Sequence, residues 1–128
     1  MSRLPDIANP HRKLYPSDLS DAEWTIIAPL LPPPKRIGHP VKVDFREIIN
    51  GILYVQRTGC QWEMMPHDLP PYGTVYGYFQ KWRRRGVWQA MESAVRRQLA
   101  AGLDQQTGSR PALKTVARRL KSITEMFA

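Results

Sequence analysis

Placed at steps of about 100° around a helix axis, residues 74–85 separate into two faces. Val75, Phe79 and Trp82, with Tyr78 beside them, point one way; Gly77, Gln80, Lys81 and Arg84 point the other, flanked by Thr74. The first set is an apolar stripe that a core takes up. The second carries hydrogen-bonding chemistry. A glutamine amide offers a donor and an acceptor side by side, the pair that matches adenine in the DNA major groove, and arginine or lysine donors match the acceptors of guanine. Lys81, Arg83, Arg84 and Arg85 crowd the end of the segment, where they suit phosphates but also complement the negative end of a helix dipole. A basic solvated helix face is common, so the pattern by itself leaves both readings open.

Other chemistry is thinner. Lys35, Arg36 and Lys42 lie in a connector with no acid between residues 35 and 42, a candidate arm along a phosphate backbone. His11, His39 and His67 fall in separate loops without a repeat, which argues against a three-histidine metal site. His67 near Asp68 and Cys60 lacks the oxyanion loop and partner network of a Cys-His hydrolase. Cys60 is the single cysteine, so no internal disulfide or cysteine-based zinc cluster forms, and a small buried or half-buried thiol is the plain reading. Trp24, Trp62, Trp82 and Trp88 could make a stacking platform for single strands, but core packing explains all except Trp62 more simply. No cofactor is expected from these residues.

The elements that must position this face follow from periodicity. Ser20-Asp21-Ala22-Glu23 has the capping-box form and opens a helix over 21–31, with Trp24, Ile27, Leu30 and Leu31 on one stripe and Pro29 kinking its last turn. Asp44 and Glu47 open a second helix to Thr58, with Phe45, Ile48, Ile49, Ile52, Leu53 and Val55 inward, and Gly59 closing it. Gly51 costs this helix about 1 kcal/mol against alanine, for which close helix packing is one reason. Residues 60–71, with their prolines, Trp62, Met64 and Met65, read as an ordered connector whose large side chains plug the core. The third helix opens at Gly73-Thr74 and runs to Arg85; Gly86 separates it from a fourth over 87–103, with Trp88, Met91, Val95 and Leu99 as its stripe. Residues 112–127 suit a short basic helix. The pattern gives an all-α chain, a small helical bundle with a helix-turn-helix-like arrangement, although the connector of about a dozen residues exceeds the usual turn of about 3 to 4.

Within 128 residues there is room for one domain. The expected division is a loosely ordered, flexible arm over 1–19, a helical DNA-binding domain over 20–103, and a divergent basic tail over 104–128. Net charge is +8, which favours a polyanionic partner. Its distribution is uneven: residues 1–64 hold 8 basic against 7 acidic side chains, and residues 65–128 hold 11 against 4. Neither a long apolar run nor a secretory leader is present, so the expected location is the cytoplasm, with the nucleoid, and no membrane partner.

Several separated motifs then become recognisable together. Tyr15-Pro16-Ser17-Asp18-Leu19-Ser20-Asp21-Ala22-Glu23-Trp24, Pro29-Leu30-Leu31-Pro32-Pro33-Pro34, Arg57-Thr58-Gly59-Cys60-Gln61-Trp62, Leu69-Pro70-Pro71, Thr74-Val75-Tyr76, Trp82-Arg83-Arg84 and Gly86-Val87-Trp88 occur in that order. The stretch from about residue 15 to about 100 closely resembles the amino-terminal domain of insertion-sequence transposases of the DDE class. The branch is the one grouped with the fourth and fifth insertion-sequence families, similar to insertion element four-hundred-and-two. The resemblance implies recognition of terminal inverted repeats by a domain placed ahead of an RNase H-like catalytic domain. That domain would hold two Mg²⁺ ions about 4 Å apart on three acidic residues for in-line attack on a phosphodiester. Beyond Leu103 the only acids are Asp104 and Glu125, and no Ile-Asp-Ser-Gln motif appears; no catalytic residue carries over and Mg²⁺ is expected only for the absent domain.

The expectation is therefore a duplex-DNA binder, truncated or a first frame, without strand-transfer chemistry. Its candidate contacts are Thr74, Gln80, Lys81, Arg83, Arg84 and Arg85, with Lys35, Arg36 and Lys42. The alternatives are an interaction protein that inhibits full-length transposase through mixed oligomers, or itself pairs, and a decayed remnant with no selected role.

Overall fold

Glu23 donates its backbone N–H to the Ser20 hydroxyl, and the Ser20 N–H returns to the Glu23 carboxylate. This reciprocal cap starts α1 (Asp21–Ile27). Pro29 cannot supply an N–H to continue the ladder, and the chain tightens into a 3₁₀ turn, Ala28–Leu30. Asp44 accepts from the amides of Arg46 and Glu47 to start α2 (Phe45–Thr58), which Gly59 ends at φ 72°. A 3₁₀ turn at Trp62–Met64 interrupts the connector to α3 (Tyr72–Arg84); α4 (Val87–Ala100) and α5 (Arg110–Glu125) complete the order. The computed structural model describes residues 11–33, 43–102 and 110–126. Among these the chain is all-helical, without a strand, as the apolar periodicity predicts.

The core sits between α2 and the helices around it. Ile48, Ile49, Ile52 and Leu53 are fully buried on α2, with Val55 nearly so, while Phe45 is half-buried at the edge. In α1 both Ile26 and Ile27 are buried and Trp24 only partly so, as are Leu30 and Leu31 beyond its end. The inward face is therefore rotated toward Ile26, because the 3₁₀ turn redirects the chain before Leu30 completes the stripe. From the connector, Met65 and Leu69 enter the core but Met64 stays 68% exposed. A three-residue turn can direct only part of its run inward.

Gly51 sets how closely α2 and α3 approach. A Cβ there would lie 2.9 Å from the Met65 methyl and 3.1 Å from a Val75 methyl, both inside van der Waals contact. The bare backbone thus provides the seat into which Val75 packs, and close packing is the physical reason for a glycine inside a helix.

Both flanking segments are tied to this core. Arg12 donates to Glu47 at 2.8 Å and to Asp18 at 3.0 Å, and Asp68 accepts from the Tyr15 hydroxyl and the Lys13 amide, each at 2.7 Å. Asn50, buried, accepts the Leu19 N–H and donates to Glu47. Residues 11–19 are thus anchored rather than loose, because unlike charges and a buried amide supply fixed partners that no periodicity advertises. At the other end α5 presents Leu113, Val116, Leu120 and Ile123 to the core, all fully buried. It packs mainly against α4 and α1. Arg119 joins the ends, donating to Glu23 at 2.9 Å and to the Ser17 carbonyl at 2.7 Å. The stretch read as a basic tail therefore contributes a core helix.

The anchors shift the ionisation of their members. Burial opposes the charge of Glu47, but bonds from Arg12 and Asn50 prevail and hold its carboxyl below the ordinary 4.5. Asp68 likewise lies below its ordinary 3.8, since the Lys13 amide and the Tyr15 hydroxyl outweigh burial. Burial and the Asp68 bond push the Tyr15 phenol up to about 12. Carboxyls depressed on folding contribute stability that is complete above their unfolded values and is lost as pH falls through the folded ones.

Two outcomes follow. The unfolding temperature, read by circular dichroism, falls as pH is lowered below 4.5, and Glu47→Gln flattens that fall because an amide does not titrate. Gly51→Leu, which forces bulk between Met65 and Val75, lowers stability in urea by about 1 to 3 kcal/mol or more.

Candidate nucleic-acid interface

α3 is held by its inner face. Val75, Phe79 and Trp82 are buried, and Trp82 meets Phe45 and Trp88 edge-on at centroid distances of 5.2 and 5.5 Å. Phe79 packs on Trp62 at 5.2 Å, and the Trp88 indole N–H donates to the Phe79 carbonyl at 3.3 Å. Trp82 and Trp88 are fully buried, while Trp24 and Trp62 are half-buried and packed against the core. Such interlocked rings fix the rotation of α3 about its own axis, and with it the outward set.

On the outer face Thr74, Gly77, Arg83, Arg84 and Arg85 are exposed, and Gln80 and Lys81 are half-buried. Lys81 lies with its ammonium 5.7 Å from the Tyr78 ring centroid, a cation–π distance. The Gln80 amide nitrogen donates to the Tyr76 hydroxyl, and its oxygen accepts from Arg83 at 3.3 Å. Gln80 is therefore held in place by its own helix neighbours one turn away. A Cβ added at Gly73 or Gly77 would meet nothing within 4 Å, so no internal contact requires either glycine. With Thr74, Tyr78 and Lys81 they line a shallow groove of about 260 Å³.

Sequence reasoning missed Tyr76 and the use made of Trp62. Tyr76 is 40% exposed and stacks edge-on against Trp62 at 5.3 Å; the two line a hollow of about 240 Å³ with Phe79, Gln80, Arg83 and Met126. The signal was available, since Tyr76, Gln80 and Arg83 stand at the four- and three-residue steps at which helix side chains meet. Lys35, Arg36 and Lys42 lie outside the described residues, as does His39. His11 and His67 are exposed and Cys60 is half-buried. Among the described residues no three of His, Cys, Asp and Glu converge.

A family model described as "Putative transposase of IS4/5 family" matches residues 19–92, which span α1, α2, α3 and the start of α4. The chain belongs to the IS4/5 transposase family. It is also 34% identical over 107 residues to a Burkholderia cepacia protein named "Insertion element IS402 uncharacterized 16.2 kDa protein", a match covering 79% of this chain and 72% of that one. No solved structure matches. In this IS4/5-family chain, no helix among the described residues is long and apolar enough to cross a membrane. The family match contains the whole of α3 and ends before α5 begins.

Inner and outer residues of α3 respond differently to truncation. Trp82→Ala costs about 3 to 5 kcal/mol of folding stability, whereas Arg84→Ala stays within about 0.5 kcal/mol of the parent. Denaturant titration of both variants checks this.

Proposed function

We propose that this IS4/5-family chain binds duplex DNA, with α3 in the major groove, at the terminal inverted repeats of an insertion element. The observation that carries the reading is the division of α3: Val75, Phe79 and Trp82 are committed to the core, which leaves Thr74, Gly77 and Arg84 exposed, with Lys81 half-buried against the Tyr78 ring beside them. The major groove admits one helix. Gly77, which no internal contact requires and which costs the helix about 1 kcal/mol against alanine, and Gly73 in the first turn leave the backbone open to close approach. α2 and α3, joined by the long connector, act as a loose helix-turn-helix pair in which α2 buttresses the reading helix.

Within this reading Gln80 and Arg84 address base edges. Gln80 is pre-set by Tyr76 and Arg83, and an adenine edge replaces one of those bonds. Lys81 swings from the Tyr78 ring toward the groove. Arg83 and Arg85, which lie in the half of the sequence that holds the excess positive charge, contact phosphates together with Lys35, Arg36 and Lys42. The proposal is of binding alone. Mixed oligomers through α4 have less support, because Trp88, Met91 and Val95 are buried within the chain and offer no free stripe.

The test is fluorescence anisotropy with a labelled duplex carrying the element's ends and a shuffled duplex, each across a salt series. Gln80→Ala and Arg84→Ala are each expected to reduce discrimination between the two by about 1 to 3 kcal/mol, the worth of one bidentate bond pair to a base edge. Arg83→Ala and Arg85→Ala are expected to make the salt dependence shallower, and Arg85→Ala to leave discrimination unchanged. Equal losses on both duplexes for every variant would overturn the base-reading assignment.

A further inference from the structure

The outward face of α5 carries a pattern that α3 does not explain. Arg110, Lys114, Arg118 and Lys121 follow one another at steps of four, four and three residues, and all are exposed. Those steps bring them onto one side of the helix, turned away from the buried stripe of Leu113, Val116, Leu120 and Ile123. Lys114, Arg118 and Lys121 have no ion-pair partner among the described residues. The one acid on α5, Glu125, is also exposed and stands at its carboxyl end, a turn beyond Lys121.

We infer that this cationic stripe is a second DNA contact, which takes the phosphate backbone of the duplex without reading its sequence. At a rise of about 1.5 Å per residue the stripe extends for about 16 Å. That is the reach of several successive phosphates on one strand, whose axial spacing is about 3.4 Å. Its carboxyl end is joined to the reading helix: Met126, just past α5, lines the same hollow as Gln80 and Arg83 of α3. A duplex is favoured over an anionic membrane because a surface-lying helix must insert its apolar face into lipid, and here that face is buried in the core. Backbone contact along α5 extends the electrostatic footprint beyond the family-matched region and adds to the phosphate contacts of Arg83 and Arg85 at the end of α3.

The inference rests on the duplex-binding reading above, and its test separates the two. A triple variant, Lys114→Gln, Arg118→Gln and Lys121→Gln, is compared with the parent chain for binding to a mixed-sequence duplex and to phosphatidylserine vesicles across a salt series. Circular dichroism verifies that the variant is folded. The expected result is a log–log salt slope shallower by about 0.9 for each phosphate no longer neutralised, with discrimination between element ends and shuffled duplex intact. The charge-preserving variant, Lys114→Arg, Arg118→Lys and Lys121→Arg, is expected to keep the parent slope. Parent-like slope and affinity in the glutamine variant overturn the α5 contact alone. Failure of the parent to bind any duplex overturns this inference and the reading beneath it together. Stripe-dependent binding to vesicles, with duplex binding unchanged, assigns the face to membranes and overturns it as well.

Discussion

The seating of Val75 and Met65 against the bare backbone of Gly51 governs everything that α3 presents. Helices packed through ordinary side chains stand about 8 to 10 Å apart, and a glycine at the contact lets them come nearer. With that approach made, Phe79 and Trp82 reach Trp62, Phe45 and Trp88, and the rotation of α3 is fixed by ring geometry as well as by its polar neighbours. A cationic helix without such a seat would turn its charges in many directions. Here the burial of one face dictates the orientation of the other.

Around that seat the molecule uses polar bonds where apolar area is short. Arg12, Asn50 and Arg119 each hold two partners, at least one of them distant in sequence, and each partner is an acid, a main-chain amide or a carbonyl. These bonds matter less for raw attraction than for leaving few polar groups orphaned where the lead-in crosses the helices. The carboxyls of Glu47 and Asp68 are held below their ordinary values by their donors, so the lead-in belongs to the folded unit in the ordinary pH range.

The helices and their caps were readable from sequence because each depends on neighbours a few residues away. Ser20 with Glu23, Asp44, Gly59 and the stripe Val75–Phe79–Trp82 announce themselves within a turn or two. What escaped depends on distance. Nothing near Arg12 in sequence reveals that Glu47 will meet it, and nothing near Leu113 reveals that α4 and α1 will cover it. Ile26 was missed for a related reason: Pro29 redirects the chain into a 3₁₀ turn, and a stripe extrapolated at helical pitch past that point drifts off its true face. The candidate surface lay between these extremes. Its outward residues followed from the period, whereas the restraint of Gln80 by Tyr76 and Arg83 needed side-chain geometry.

Arg119 bonds both the cap of α1 and the carbonyl of Ser17, across nearly the full length of the chain. During synthesis the earliest helix must therefore wait for the latest one before its polar groups are matched and its neighbours covered. A product interrupted before α5 would leave the flanks of α4 and α1 uncovered, since α5 packs mainly against those two helices.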